Sequence, residues 1–168
     1  LMAYEEAGYK VVHKGENFEI RYYEERIVIQ TRYDSGNSGF RKLFNYISGQ
    51  NQGEKKIEMT TPVTEVQDDN QMVMQFYLPA RFNASSAPLP ADNSLEIATI
   101  DAGYFAVIQY SGFASNKNFY KHAQILKSSL DRDNIEISSQ PIKATYDGPF
   151  TLPNLRRNEA MYLVLWDN

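Results

Sequence analysis

Cysteine is absent from the 168 residues, so disulfides, thiolate metal sites and a cysteine nucleophile are all excluded by inventory. Histidine occurs only twice, at His13 and His122. Neither has a carboxylate at ligand spacing, so a zinc site is not expected. Lys and Arg number 17 against 21 Asp and Glu, for a net charge of −4, and neither sign forms a block of five. That distribution argues against a polyanion-binding face, so nucleic acid is not an expected partner. No run of 18 apolar residues occurs, and Leu1–Glu6 lacks the charged and apolar regions of an export signal. A soluble, cytoplasmic chain is expected, with an exported form whose leader has been removed as the alternative. No Gly-rich phosphate cradle and no Ser, His, Asp order suggests hydrolysis.

What the sequence has in quantity is aromatic side chains: 12 Tyr, 9 Phe and one Trp. Strands favour Tyr and Phe, so this richness serves a core as readily as a pocket. Two period-2 runs, Phe18–Tyr23 and Arg26–Tyr33, flank Glu24-Glu25 and predict a hairpin. After a loop at Asp34–Gly39, Phe40, Leu43, Phe44 and Ile47 fall at helical spacing, with Ser38 or Asn37 as N-cap and Gly49 as the stop. A second hairpin is predicted from Pro62–Gln67 and Gln71–Leu78. Residues 80–94, with Pro88 and Pro90, show no period and make a link between halves. A third hairpin is predicted from Leu95–Ile100 and Tyr104–Tyr110. A helix over Ser115–Leu130 follows, with Phe119, Ala123, Leu126 and Leu130 on one stripe, and then a last strand pair, Ile142–Tyr146 with Met161–Trp166.

Hairpin, helix, hairpin therefore occurs twice, and a shift of 79 positions aligns the copies. Val28-Ile29-Gln30 matches Val107-Ile108-Gln109. Asn37, Phe40 and Lys42 match Asn116, Phe119 and Lys121, and Pro62 and Asp68 match Pro141 and Asp147. The expectation is an α+β fold in one domain over 1–168. It has eight antiparallel strands forming a distorted barrel or sheet, two flanking helices and two pseudo-two-fold repeats, about 17–79 and 95–166. A concave region near the pseudo-axis is the natural place for a ligand.

Several side chains stand out as candidates. By the 79-residue shift His122 corresponds to Leu43, an apolar-face position, and it lies at helical spacing from Phe119 and Leu126. It reads either as a boundary histidine with a hydrogen-bond partner or as an inward-facing ligand. His13 reads as a solvated edge residue. Arg156-Arg157-Asn158-Glu159 precedes the last strand and reads as a clamp pairing guanidinium and carboxylate across neighbouring strands, or as a pocket wall. Met59, Met72, Met74 and Met161 serve either a soft pocket or an ordinary core.

Phe18-Glu19-Ile20-Arg21-Tyr22-Tyr23, Phe44–Asn51, Lys56-Ile57-Glu58-Met59-Thr60-Thr61-Pro62-Val63, Tyr146-Asp147-Gly148-Pro149 and Arg156-Arg157-Asn158-Glu159 together resemble the SOUL haem-binding family in order and spacing. The resemblance runs from about Tyr9 to Trp166. It implies a distorted antiparallel barrel with two helices, and binding of haem or a related tetrapyrrole by a non-catalytic carrier, buffer or sensor. The position of the family's proposed axial histidine is Tyr22 here, and a tyrosinate can ligate ferric haem. Other members hold haem through the first helix, which implies a site at Phe40, Leu43, Phe44 and Ile47 with Arg41 and Lys42 meeting the propionates. Core packing is the alternative role of those four apolar residues. Iron ligation, where it occurs, is expected from His122 or Tyr22. The fold also resembles the GyrI-like ligand-binding modules, which implies a receptor for lipophilic or cationic molecules with Glu159 as counter-ion. A protein-interaction domain, or a hydrolase on the same scaffold, completes the alternatives.

Overall fold

The computed structural model describes residues 4–34 and 38–167. The strands in chain order are β1 (Glu5–Glu6), β2 (Tyr9–Lys14), β3 (Glu19–Tyr23), β4 (Arg26–Tyr33), β5 (Thr60–Thr61), β6 (Val63–Asp68), β7 (Gln71–Tyr77), β8 (Leu95–Ile100), β9 (Gly103–Tyr110), β10 (Glu136–Ile137), β11 (Ile142–Thr145) and β12 (Asn158–Leu165). Helix α1 (Ser38–Ile47) follows β4, and α2 (Asn116–Arg132) follows β9. The chain is α+β, and its main strand pairings are antiparallel. It divides into two compact units: residues up to Ala7 with Glu25–Asp101, and Gly8–Glu24 with Ala102 onward.

In the first unit β6, β7, β4 and β8 lie side by side in that order. Ile27, Val28, Ile29 and Thr31 of β4 are β-branched and restricted about χ1, which suits a central strand. Helix α1 lays Leu43, Tyr46 and Ile47 on Ile27, Ile29, Met74 and Phe76. It ends where Gly49 turns left-handed at φ 125°. Asn37, one of the two expected N-caps, lies outside the described residues. The proline-bearing stretch 80–94 is packed onto this unit: Ala87 joins the core, and the Tyr46 hydroxyl donates to the Pro88 carbonyl at 2.6 Å. Burial pushes the Tyr46 phenol up to about 12.

In the second unit the order is β2, β3, β9, β12, β11, with β10 also on β12. Ser115 caps α2, its hydroxyl accepting from the Asn118 amide at 3.1 Å. The predicted stripe Phe119, Ala123, Leu126 and Leu130 is buried against Ile20, Ala106, Ile108, Ala160 and Tyr162.

The hairpin β6–β7 forms as expected, turning at Asp69 with φ 54°. The last pair, β11 with β12, also forms. The first and third predicted hairpins do not. Strand β3 pairs with β2 and β9, whereas β4 pairs with β7 and β8. Glu24-Glu25 and Asp101-Ala102 therefore join the two units rather than closing hairpins. Neither junction holds a residue with positive φ, the conformation that a tight two-residue hairpin turn demands.

Under the 79-residue shift Gln30 and Arg26 of β4 correspond to Gln109 and Phe105 of β9, and their cross-strand partners can be compared. Gln30 in β4 lies opposite Gln75, and Gln109 in β9 lies opposite Glu159. Likewise Arg26 lies opposite Ile100, and Phe105 opposite Arg21.

Candidate functional site

Helix α1 divides the expected haem-holding residues into two sets. Leu43 and Ile47 are buried in the first unit's core and leave no surface for a guest. Phe40 and Phe44, one turn apart, are 43% and 49% exposed. Their rings lie nearly parallel, 12° apart with centroids at 6.2 Å, and Phe40 meets Phe76 edge-on at 5.2 Å. Arg41 between them is exposed. Lys42 is half-buried and donates to the Ser94 hydroxyl at 3.1 Å. The apolar stripe of the helix thus has a filled part, Leu43 and Ile47, and an exposed edge, the Phe40–Phe44 pair with Arg41 beside it.

The second unit buries charge instead. Arg21 is 2% exposed and Glu159 is 0% exposed. They form a two-pronged pair, Nη1 to Oε1 and Nη2 to Oε2, each at 2.9 Å. Arg21 Nε donates to Glu19 at 2.7 Å and Nη1 also to the Tyr23 hydroxyl at 3.0 Å. The Tyr146 hydroxyl donates to Glu159 Oε1 at 2.5 Å, and Arg157 Nε to Oε2 at 3.2 Å. Burial works against the charge on Arg21 and is the largest single effect, but the hydrogen bonds and negative charge of Glu159 together outweigh it and raise the pKa. The Tyr146 phenol is also raised, first by burial and then by Glu159. Each oxygen of Glu159 receives donors from two side chains, so this cluster ties β3 to β12 across β9.

The clamp is therefore real, but its partners differ from those expected. Arg157, just before β12, reaches Glu159 two residues on, and the cross-strand cation is Arg21, two strands away across β9. Arg156 binds carbonyls rather than a carboxylate: those of Gly148, Thr151 and Asp147, at 2.9, 3.1 and 3.2 Å. It shapes the loop before β12. Arg21 and Tyr146 escaped a reading by alternation, since Arg21 sits between Ile20 and Tyr22 where a solvent-facing residue is expected. The available signal was Glu159 beside the apolar run Ala160–Leu165: a carboxylate entering a fully buried strand needs a cation.

His122 is half-buried, with its ring stacked on Tyr110 at 3.9 Å and 3°. Its Nδ1 lies 2.8 Å from the Asn118 carbonyl, which only accepts, so the proton of the neutral ring is on Nδ1 and Nε2 keeps its lone pair. His122 lines an open hollow of about 960 Å³ with Tyr110, Phe113, Lys117 and Lys121. Tyr22 is half-buried and its ring packs on Tyr104 at 5.1 Å. Tyr104 and Tyr110 are six residues apart on β9, about 20 Å at strand rise, so Tyr22 and His122 do not share one site. His13 is on the edge strand β2 as expected, but it is half-buried against Trp166, with centroids at 4.9 Å, rather than solvated. Among the described residues no group of three metal-ligating side chains occurs, and no helix is long and apolar enough to cross a membrane.

With this geometry in hand, the family can be assigned. The model of the family described as SOUL heme-binding protein matches residues 4–163. The chain belongs to the SOUL family. This SOUL chain is 28% identical over 172 residues to "Heme-binding protein 1" of Xenopus laevis, covering 92% of this chain and 89% of the relative. It is 26% identical over 163 residues to "Heme-binding protein 2" of Homo sapiens, covering 88% and 78%. Among solved structures, the EcmrR C-terminal domain matches at a TM-score of 0.63 and 16% identity, over 94% of this chain and 98% of that one. At that identity the likeness speaks for the fold alone. SOUL membership supports haem binding and the role of a binding protein.

Proposed function

We propose that this SOUL chain is a non-catalytic carrier, buffer or sensor of haem or a related tetrapyrrole, and that the exposed edge of the apolar stripe of α1, at Phe40 and Phe44, holds the ring. One observation carries the reading: Phe40 and Phe44 stand half-exposed in near-parallel array although Leu43, Tyr46 and Ile47 of the same helix already fill the core. An exposed large apolar pair backed by aromatic packing is costly in water and well matched to a flat macrocycle. Arg41 and Lys42 supply cations for carboxylates at the ring's edge. Bound haem would bring an iron centre capable of ligand or electron exchange. What this chain supplies is an apolar platform and charge neutralisation.

Titration with hemin tests the reading, with a saturable Soret shift at about one equivalent expected. Phe40→Ala with Phe44→Ala is expected to weaken binding about tenfold or more, since each ring contributes on the order of 1 kcal/mol or more of apolar contact. A second reading rests on His122, whose open Nε2 beside Lys117 and Lys121 suits an iron axial position. It predicts an imidazole-ligated spectrum that is lost in His122→Ala and retained in the α1 variant.

A further inference from the structure

The guanidinium of Arg21 is enclosed as a bound ligand would be. Its Cζ lies 4.1 Å above the Tyr9 ring, Tyr23 accepts from Nη1, Glu159 takes both terminal nitrogens, and Glu19 takes Nε. An aromatic face and a two-oxygen carboxylate are the elements by which a protein recognises a planar cation. We propose that Arg21 is the built-in occupant of a guanidinium cage, and that by filling it the side chain closes the second unit to external cations. Glu159, which on its own would be a buried counter-ion for a cationic guest, is thereby already satisfied.

Two features make the cage reachable once Arg21 is shortened. Tyr9, its aromatic wall, is on the edge strand β2 and 37% exposed. A hollow of about 250 Å³, lined by Gly15, Glu19, Val107 and Gln109, opens beside Arg21. The second unit thus rejects cations through an internal competitor, and ligand choice is left to surfaces such as that of α1. This conclusion stands or falls independently of haem binding.

Chemical rescue tests it. The melting temperature of Arg21→Ala is followed in methylguanidinium chloride against sodium chloride of equal strength, beside the unaltered chain and Arg21→Ala with Glu159→Gln. The single variant is expected to gain about 3–5 °C over the salt control at ten times the dissociation constant. The unaltered chain and the double variant are expected to gain nothing. Arg21→Lys, which keeps a cation on the stem but lacks the planar fork, is expected to show no gain either. If Arg21→Ala does not fold, its refolding yield from urea with and without methylguanidinium gives the answer: recovery only with the additive supports the cage. An equal response of Arg21→Ala and the unaltered chain, or no recovery under either refolding condition, overturns the proposal. So does saturable binding of methylguanidinium by the unaltered chain.

Discussion

Where Gln30 of the first unit lies opposite Gln75, its counterpart Gln109 in the second lies opposite Glu159; where Arg26 lies opposite Ile100, Phe105 lies opposite Arg21. One frame has thus been given two interiors. In the first unit an uncharged ladder of Thr and two Gln crosses the sheet and ends on an exposed carboxylate: Thr64 donates to Gln75 at 2.8 Å, Gln75 to Gln30 at 2.9 Å, and Gln30 to Glu96 at 2.7 Å. In the second, the equivalent ground holds a buried ion pair with two tyrosines and a second arginine. A neutral ladder loses little when one member is cut, whereas an ion pair cut on one side leaves a desolvated charge. The comparison teaches that the strand frame does not dictate what is buried: Arg21 and Glu159 stand in register positions that Ile100 and Gln75 hold in the first unit.

The helices diverge in the same way. Phe119 occupies the position of Phe40 under the 79-residue shift, yet Phe119 is buried and Phe40 is not. The longer α2 buries Phe119 and leaves Tyr120 exposed, whereas the shorter α1 buries Tyr46 and leaves Phe40 and Phe44 half-exposed.

The sharpest break in the comparison comes from Glu159→Ala, which strands Arg21 without its main counter-ion. Urea unfolding is expected to show a loss of about 3–5 kcal/mol. Importing the first unit's pair, as Arg21→Ile with Glu159→Gln, is expected to cost clearly less than that single change, with coupling of about 1–3 kcal/mol between the sites. Additive losses would show that the two side chains do not act as a pair. Gln75→Ala, the matching cut in the first unit, is expected to cost only about 1–2 kcal/mol by the same measurement.

Alkaline titration sharpens the comparison further. Burial holds the phenols of Tyr46 in the first unit and Tyr110 in the second up to about 12, against about 10 in an unfolded chain. Between those values the folded state keeps protons that the unfolded state releases. The stabilisation is therefore whole below pH 10 and is lost as pH rises toward 12. Thermal melts across that range are expected to fall in the parent and to fall less in Tyr46→Phe. The smallest effect is expected from Arg81→Gln. Its pairing with Glu58 at 3.0 Å is exposed on both sides, and such surface pairs add little. The urea midpoint should not move measurably.

The helices and the β6–β7 hairpin were legible because their signals are local: Phe40, Leu43 and Ile47 at helical spacing, Gly49 as the stop, and Asp68–Asn70 between alternating runs. The exchange of β3 and β8 between units was not, because alternation tells that a strand has two faces and not which strand lies beside it. Phe40, Leu43, Phe44 and Ile47 were legible as one apolar stripe from their spacing alone. Only the three-dimensional packing divides Leu43 and Ile47, which serve the core, from Phe40 and Phe44, which do not. The buried cluster needed partners 138 residues apart, Arg21 and Glu159, a pairing that no local pattern in β3 or β12 encodes.

The most direct test of the account is hemin titration of the unaltered chain beside Phe40→Ala with Phe44→Ala, read by the Soret band. Saturation near one equivalent, weakened about tenfold or more in the double variant while its melting temperature stays close to the parent's, is the result predicted. Equal affinity of the two proteins would contradict the assignment of α1, and a linear, unsaturable response in both would remove haem as the ligand.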